Sequence, residues 1–161
     1  MVGMDTSQLM QVYRETTQED GKRKYPDASA YWQLLYAEED FLSYLRDVFF
    51  KSRFAIYAVW SVDGVYKAAL RLEPYRDGLL LEGLETAPEA RRKGYATKLL
   101  SYVLSHLQDC EFSYVYSHVH KRNLSSVSLH KKIGFQIISD MAVYIDGTVT
   151  QQSYTFGRSL K

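Results

Sequence analysis

The sequence predicts a mixed α/β domain built around one mostly antiparallel sheet, and three observations support that class. Strand-like segments are separated by Asp-Gly pairs at 63–64, 77–78 and 146–147, which favour tight hairpin turns. An amphipathic segment over 91–107 interrupts the strands, as a helix packed on a sheet would. No linker or repeat divides the 161 residues, so we expect a single domain over 1–161.

The composition is that of an ordinary globular protein, with 46% apolar and 24% charged residues. Twenty basic and nineteen acidic side chains leave a net charge of +1, which argues against a nucleic-acid partner. The single cysteine, Cys110, cannot form an internal disulfide, which favours a reducing compartment. The polar N-terminus and the short apolar runs predict no signal sequence and no membrane segment. We therefore expect a cytoplasmic protein.

The N-terminal third is predicted to contain one strand and two helices after a loose tail over 1–7. The first strand is expected over 9–14. Pro26 and Asp27 indicate a helix start, with Asp27 as its N-cap. The acidic run 38–40 predicts the start of a second helix, because negative charge suits the positive end of the helix dipole.

The central part is predicted to form three hairpin-linked strands over 53–62, 65–73 and 79–86. The long helix over 91–107 follows, with an apolar stripe along one face. A strand over 111–119 comes next, since its residues alternate between apolar and polar.

The C-terminal part is predicted to form a short helix and a closing hairpin. The helix covers 123–133, with Asn123 as its N-cap and Gly134 as its stop. The hairpin joins strands over 135–145 and 148–158. The resulting order is β α α β β β α β α β β, which amounts to about seven strands and four helices.

A short basic loop over 85–97 carries the main chemical signal. A strand ends there and a helix begins at once, so that free backbone N–H groups are available for a phosphate. Gly94 lets the main chain approach a bulky anion, and three consecutive cations at 91–93 add charge. Residues 88–135 carry a net charge of +5, which suits an anionic cofactor. A helix start with solvated charges is the alternative interpretation.

Two motifs resemble those of one enzyme superfamily. Arg91-x-x-Gly94-x-Ala96 resembles the Arg/Gln-x-x-Gly-x-Gly/Ala element of the GNAT N-acetyltransferases, which lies between their fourth strand and third helix. The segment Asn123-x-x-Ser126-x-x-Leu129-His130-x-x-x-Gly134-Phe135 is similar to their Asn-x-x-Ala/Ser-x-x-Leu-Tyr-x-x-x-Gly-Phe. The resemblance covers roughly residues 8–158. It implies a GNAT-like sheet splayed between strands 4 and 5, and it identifies no subfamily.

The resemblance implies acetyl-coenzyme A as the acetyl donor, with no metal. In the family the pyrophosphate binds the loop before the helix, which here implies Arg91, Arg92, Lys93, Gly94, Tyr95 and Ala96, with Thr97 adding its hydroxyl. The fourth strand bulges, which frees backbone groups for the cofactor. The Leu84 amide is expected to hold the acetyl carbonyl as an oxyanion donor, and Thr86 to contact the pantetheine. Asn123 is expected to bond the pantetheine, to cap its helix, or to do both.

Glu82 is the first candidate for a general base, since an amine must lose a proton before it attacks. Strand alternation predicts that Glu82 and Leu84 share one face, with Glu85 on the other. The spacing of Glu82 and Leu84 along the strand, roughly 6.5–7 Å, suggests action through a water molecule. The alternative is that Glu82 only attracts a cationic substrate.

Three histidines are further candidates. His118 and His120 alternate onto one strand face, where either could hold a water molecule, serve as the base, or be a strand-end histidine bonded to the backbone. A metal is not expected, because a third ligand is missing nearby. His130 stands where the family usually has a tyrosine that protonates the departing thiolate. A protonated histidine could do this, or the ring has no catalytic role.

The expected reaction is acetylation of a primary amine by direct attack in a ternary complex. An aromatic and acidic wall could receive a cationic acceptor, although core packing and helix capping explain the same residues: Tyr25, Tyr31, Trp32, Tyr36, Glu38, Glu39 and Asp40. The alternatives are a non-catalytic acyl-CoA-binding sensor and an interaction domain without ligand. The acceptor is left open, as is a homodimer.

Overall fold

The N-terminal third of the chain is helical in the computed structural model, which describes residues 3–161. Helix α1 covers Thr6–Val12, α2 covers Arg14–Lys24 and α3 covers Ala30–Asp47. The strand predicted over 9–14 is therefore wrong. The predicted loose tail is also too long, since α1 begins at Thr6, while Met1 and Val2 lie outside the described residues.

Helix α1 forms because its start is capped and one of its faces is apolar. The Asp5 carboxylate accepts a hydrogen bond from the Gln8 amide at 3.0 Å, and the Gln8 side chain donates back to Asp5 at 3.1 Å. The Asp5 amide, which a capping box would pair with the Gln8 side chain, donates to the Tyr66 hydroxyl at 3.1 Å. Leu9 and Val12 lie three residues apart on the same face and are both buried.

Helix α3 replaces the two helices that the sequence predicts over this region. It begins after Ser29 and not at Asp27, and the acidic residues 38–40 lie in its interior. Asp40 there accepts hydrogen bonds from Lys24 at 3.0 Å and from Tyr25 at 2.8 Å. These bonds tie α3 to the end of α2, so this carboxylate links two helices and does not cap one.

Six strands form the main sheet, in the order β1-β2-β3-β4-β8-β5. They cover Ile56–Val62 (β1), Val65–Tyr75 (β2), Gly78–Thr86 (β3), Tyr114–His120 (β4), Gln136–Ser139 (β5) and Ser153–Ser159 (β8). All neighbours are antiparallel except β3 and β4, which are parallel. The predicted mixed, mostly antiparallel fold is confirmed, with six strands in the sheet where about seven were expected.

The closing hairpin is less regular than the sequence predicts. β5 pairs with β8, but Ala142–Val143 (β6) and Val149–Thr150 (β7) form a separate two-stranded ribbon between them. The predicted turn at 146–147 connects this ribbon, and the amide of Gly147 donates to Tyr144 O at 2.9 Å. The ribbon brings Tyr144 to the cleft described below.

Two helices pack near the face opposite α1–α3. Helix α4 covers Tyr95–His106 and buries Leu99, Leu100, Val103 and Leu104 in the larger core. Helix α5 covers Leu124–Lys132, and Asn123 caps it as predicted. Helix α4 starts four residues later than the predicted 91, because Arg92 (φ 60°) and Gly94 (φ 79°) have left-handed backbone conformations.

The sheet forks between β3 and β4. The two strands pair from Gly78 opposite Tyr114 to Leu81 opposite Ser117, and no further pair is found in the described part of the chain. β3 continues to Thr86 and β4 to His120, so the two free branches diverge beyond this point. Because the first predicted strand is helical, β3 and β4 are the fourth and fifth strands of the predicted order. The predicted splay between them is confirmed.

A β-bulge lies on β3 directly beyond the fork. Arg71 opposes Glu82 and Ala69 opposes Glu85, which leaves Gly83 and Leu84 together opposite one residue of β2. Gly83 has a φ of 55°, in the left-handed region that glycine adopts readily. The extra residue inverts the alternation of side chains. Glu82 and Glu85 therefore share the face covered by α1–α3, while Leu84 packs in the core beneath α4. The predicted shared face of Glu82 and Leu84, with Glu85 opposite, is wrong.

Candidate active site

A cleft of about 830 Å³ opens at the fork of the sheet. Its walls are the free branch of β3, the free branch of β4, the loop before α4, and the first turns of α4 and α5. Thr16 of α2 and Tyr144 of the ribbon complete it. The two branches thus face a single space that the sheet does not fill.

The loop before α4 presents main-chain donors to this cleft. Gly94 occupies the N-cap position, and its side-chain-free backbone provides no cap for the first-turn amides. A Cβ added to Gly94 would meet no heavy atom within 4 Å, so open space lies beside it. The cleft is lined here by Arg91, Arg92, Gly94, Tyr95, Ala96 and Thr97. Lys93 does not line the cleft, whereas the other residues predicted to bind the pyrophosphate do.

Arg91 is held by an acidic residue of α2. Its Nη2 lies 2.6 Å from Oε2 of Glu15, and both side chains are about half exposed. Thr16, the next residue of α2, donates to Glu85 Oε1 at 2.6 Å. Helix α2 therefore contacts both the loop and the free branch of β3, which positions the two walls relative to each other.

The residues expected along the pantetheine path line the same cleft. Leu84 lies at the bulge, Thr86 at the end of β3, and Asn123 across the fork at the start of α5. Asn123 Oδ1 accepts a hydrogen bond from the Ser126 amide at 3.1 Å, so the capping role is present. The side-chain nitrogen of Asn123 takes no part in this cap, so it is the group suited to donate a hydrogen bond to a ligand.

Glu82 is largely buried among charged neighbours on the α1–α3 face. Its carboxylate lies 3.4 Å from Nη2 of Arg71, and its side chain is 24% exposed. Burial, a hydrogen bond with the Glu73 carboxyl and the Glu73 charge together raise the pKa of Glu82 to about 7, against the lowering effect of Arg71. A carboxyl group that titrates near neutrality suits proton abstraction at physiological pH.

Arg71 is a component of this site that the sequence analysis missed. Its guanidinium lines the cleft and lies over the rings of Phe41 and Tyr44 at 5.7 and 5.6 Å. Tyr44 in turn donates to Glu73 at 3.1 Å. A lone arginine inside the apolar stretch Ala68–Leu72 was the available signal, since a buried charge requires a partner.

The two histidines of β4 have different surroundings. His118 lines the cleft, and both its ring nitrogens are buried without a hydrogen-bond partner among the described residues. Burial, with a smaller effect of Arg76, lowers the pKa of His118, which favours the neutral ring. His120 Nδ1 accepts from the Arg122 amide at 3.2 Å, the backbone-bonded role considered for it.

His130 is buried against the cleft and bonded on both sides of its ring. Nδ1 lies 2.8 Å from the carbonyl oxygen of Ser126, and Nε2 lies 2.9 Å from Oγ of Ser117. Burial lowers the pKa of His130, although the Ser126 carbonyl opposes this. The neutral ring is therefore favoured, and it lacks the extra proton that the expected donor role requires. Ser117 was not singled out in the sequence.

The aromatic and acidic wall expected for the acceptor does not line the cleft. Tyr31 and Trp32 are 69% and 47% exposed on α3, and Trp32 stacks on Tyr36 with ring centres 5.6 Å apart. Tyr25 donates to Asp40 and thereby joins α2 to α3. The cleft is lined instead by other ionisable groups, which include Arg71, Glu82, Glu85, His118 and His120.

From Gly3 onward, no group of three or more His, Cys, Asp or Glu residues has the arrangement to hold a metal ion. Within the same range, no helix is long and apolar enough to cross a bilayer.

The family follows from a sequence comparison over most of the chain. Residues 8–135 match the model of the acetyltransferase (GNAT) family. The chain therefore belongs to the GNAT family of acetyltransferases. No curated protein matches it in sequence.

Solved structures show the same fold at low sequence identity. Ard1 from Thermoplasma volcanium is 19% identical with a TM-score of 0.63, over 97% of this chain and 93% of that chain. PaiA N-acetyltransferase from Thermoplasma acidophilum, in complex with coenzyme A, is 14% identical with a TM-score of 0.63, over 96% and 92%. YncA, a putative acetyltransferase from Salmonella typhimurium with its cofactor acetyl-CoA, is 14% identical with a TM-score of 0.59, over 98% and 91%.

Proposed function

We propose that this protein is an acetyl-CoA-dependent N-acetyltransferase that acetylates a primary amine by direct attack in a ternary complex. The observation that carries the proposal is the loop that ends at left-handed Gly94 and leads into α4 at the mouth of the forked sheet. Uncapped helix-start amides beside Arg91 and Arg92 form an anion site, and the fork gives an extended ligand a path between two strands.

The cofactor is held along this path. The pyrophosphate binds the amides of Gly94, Tyr95 and Ala96, with charge from the two arginines. The pantetheine arm runs into the fork past Thr86 and Asn123, which line opposite walls. The PaiA and YncA structures with coenzyme A and acetyl-CoA support this placement by their shared fold.

The chemical step needs a base and an oxyanion donor. Glu82 takes a proton from the acceptor ammonium, since its pKa of about 7 leaves much of it ionised at neutral pH. The neutral amine nitrogen attacks the acetyl carbon and the Leu84 amide stabilises the oxyanion. The C–S bond then breaks as the second proton of the nitrogen passes to the departing thiolate, which leaves as the thiol of coenzyme A. A thiol with an ordinary pKa near 8.5 is a good leaving group, so a strong acid is not required.

A non-catalytic acyl-CoA sensor is the alternative from a different functional class. Glu82 favours the enzyme over the sensor. A partly buried carboxyl with a raised pKa suits proton transfer, and a sensor has no use for it beside its ligand. A sensor would bind acetyl-CoA with unchanged affinity in a Glu82→Gln variant and would acetylate nothing.

The test is a screen of amines with acetyl-CoA, read by mass spectrometry of the acetylated products. Polyamines, aminoglycosides, amino acids and peptide amines should be included. We expect at least one to be acetylated by the wild type and by Gly64→Glu, but not by Gly94→Glu. Gly64 is a matched control, because it also has positive φ (75°) and open space for a Cβ, yet it lies in the β1–β2 turn.

Coenzyme A binding is measured on the same three proteins by thermal unfolding. A ligand at about 100 times its Kd adds about 2.7 kcal/mol, which raises Tm by about 5–10 °C in a domain of this size. The shift should be lost only in Gly94→Glu. Coenzyme A binding without any acetylated product would favour the sensor, and absence of a shift in the wild type would contradict both.

A further inference from the structure

Ser117 and His130 have the geometry of a nucleophile and its base. They come from β4 and α5, both line the cleft, and they are 4% and 2% exposed. Their Oγ and Nε2 atoms are 2.9 Å apart. A hydroxyl within hydrogen-bond reach of an imidazole, which a third group orients, is the arrangement that activates serine for attack on acyl groups.

The hydrogen bonds determine the tautomer of His130. The Ser126 carbonyl, 2.8 Å from Nδ1, can only accept a hydrogen bond, so Nδ1 carries the proton. Nε2 of the neutral ring then has a free lone pair and accepts the hydrogen of the Ser117 hydroxyl. The rings of Phe135 and Phe156, with centres 5.2 and 5.4 Å away, hold the imidazole in this orientation.

Ser117 also lies at the correct point of the fork. It is the last residue of β4 that pairs with β3, opposite Leu81, directly before the branches diverge. Its side chain is on the face of α4 and α5, where Leu84 also packs. A thioester that enters the fork with its carbonyl at the Leu84 amide would therefore reach the neighbourhood of Ser117.

We propose that Ser117 and His130 give this protein a second, hydrolytic activity, in which an acetyl ester on Ser117 forms when no amine is bound. The Ser117 oxygen bonds to the acetyl carbon, Nε2 of His130 takes the hydroxyl proton, and the C–S bond breaks as that proton passes to the thiolate. Water then attacks the ester and gives its proton to Nε2, which returns it to Oγ. The products are acetate and coenzyme A.

The dyad is a weak one, which sets the expected rate. Its orienting group is a neutral carbonyl, whereas a carboxylate would stabilise the imidazolium more strongly. The activity should therefore be slow compared with transfer to a good amine. Slow deacylation also favours accumulation of the ester, which makes the intermediate detectable.

The ester is sought directly in the wild-type protein. The protein is mixed with acetyl-CoA without amine, quenched in acid, digested and analysed by mass spectrometry. We expect one added acetyl group on the peptide that contains Ser117. An unmodified Ser117 peptide, or acetylation confined to other residues, would overturn the proposal.

The same chemistry is measured with p-nitrophenyl acetate, a small ester that needs no coenzyme A site. This separates the two proposals, because the dyad can then be active in a protein that fails to bind coenzyme A, and amine acetylation can persist without the dyad. Ser117→Ala should remove the ester and lower hydrolysis by about tenfold to hundredfold or more. Ser61→Ala, an exposed serine on β1, is the matched control and should behave as the wild type.

His130 is tested with His130→Gln, whose amide can retain hydrogen bonds in the buried position. Hydrolysis should fall to the level of Ser117→Ala, while His106→Gln, an exposed histidine at the end of α4, should leave it unchanged. If His130→Gln fails to fold, the wild-type ester and the Ser117→Ala result decide the question. Equal hydrolysis in the wild type and in folded Ser117→Ala would overturn the proposal.

Discussion

The two faces of the forked sheet are assembled in different ways. On the face of α4 and α5, the proposed anion site comes from residues of one short segment, 91–97, and Asn123 with its helix lies across the fork. On the face of α1–α3, Glu82 lies on β3, Arg71 and Glu73 lie on β2, and Tyr44 reaches them from α3. One face is thus built locally and the other by tertiary packing.

Under the proposed function, this difference separates the recognition of the donor from that of the acceptor. A phosphate site needs only backbone amides and charge at a helix start, so a short motif suffices. The acceptor face instead places the Glu82 carboxyl beside the Glu73 carboxyl and the Arg71 guanidinium, and these two neighbours shift the pKa of Glu82 in opposite directions. We expect substitutions on the acceptor face to alter kcat and its pH dependence, and substitutions on the donor face to alter cofactor affinity.

Glu82→Gln should produce the largest effect, a fall in kcat of about a hundredfold to ten-thousandfold with acetyl-CoA binding retained. The raised pKa, about 7, means that the carboxylate is present above that pH and is lost below it. The wild-type rate should therefore decline as pH falls through this range, and the variant should lack that decline. Steady-state kinetics across pH with one amine measure both effects.

The matched control for this experiment is Glu111→Gln, an exposed glutamate outside the cleft, which should match the wild type. A raised acceptor KM with unchanged kcat would show that Glu82 only attracts the amine. Unchanged kcat, KM and pH profile would remove Glu82 from the site and make His118 the next residue to test.

Gly83→Ala tests whether the bulge supports the acceptor face. A Cβ at Gly83 would lie 2.6 Å from Nη1 of Arg71 and 3.2 Å from the Tyr13 hydroxyl, at a φ of 55°. We expect a loss of about 1–3 kcal/mol in the free energy of unfolding, together with a lower kcat. Urea denaturation measures the first quantity.

Gly64→Ala separates backbone strain from this crowding, because its φ is also positive (75°) but no atom lies within 4 Å of the added Cβ. It should lose less stability than Gly83→Ala and keep its kcat. Equal losses in the two variants would mean that the contact with Arg71 has no specific effect.

Arg71→Met should move the acidic limb of the rate profile to higher pH. The guanidinium lowers the pKa of Glu82, so its removal raises that pKa further. At neutral pH less of the base is then ionised and the rate falls. Arg46→Met, on the exposed side of α3, should leave the limb in place. If the acidic limb of Arg71→Met stays at the wild-type pH, burial and Glu73 alone set the pKa of Glu82.

The smallest effect is expected from Glu15→Gln, which frees Arg91 on the donor face. The ion pair is about half exposed, so the gain in cofactor affinity should be about twofold to fivefold, as an exposed pair allows. Calorimetry with coenzyme A measures it, and kcat should stay unchanged. Glu19→Gln is the control, since Glu19 pairs with Lys22 on the same helix. Weaker binding in Glu15→Gln would mean that the pair positions Arg91 for phosphate.

The elements with strong local signals were predictable from the sequence. The amphipathic stripe of α4, the hairpin between β1 and β2 and the Asn123 cap were all confirmed. The N-terminal strand was not, because the short apolar segment 9–14 fits a helix as well as a strand, and the Asp5–Gln8 cap favours the helix. Residues 14–24 form α2 although they show little apolar patterning. This helix therefore depends on contacts with other parts of the fold, such as that of Glu15 with Arg91.

The acceptor face was the least predictable part of the site. Its bulge depends on Gly83, and a single glycine in a strand pattern does not reveal which way the following side chains point. The partnership of Arg71 with Glu82 joins two strands, and that of Ser117 with His130 joins a strand and a helix. Such pairs follow from strand register and helix placement, which sequence spacing alone does not determine.

The short parallel ladder between β3 and β4 has a consequence for the lifetime of the protein. Among the described residues, four pairs from Gly78–Tyr114 to Leu81–Ser117 are the only strand pairing between the two halves of the main sheet. Leu79, Leu80, Leu81 and Val115 of this ladder are buried, so local opening should begin where the ladder ends and the two branches lose this partner, which exposes chain to proteases. A cofactor bound across the fork would contact both halves. Its binding should slow hydrogen exchange at the amides near the end of this ladder more than at those of β1. Under the proposed function, the supply of acetyl-coenzyme A would govern how long the protein persists as well as how fast it works.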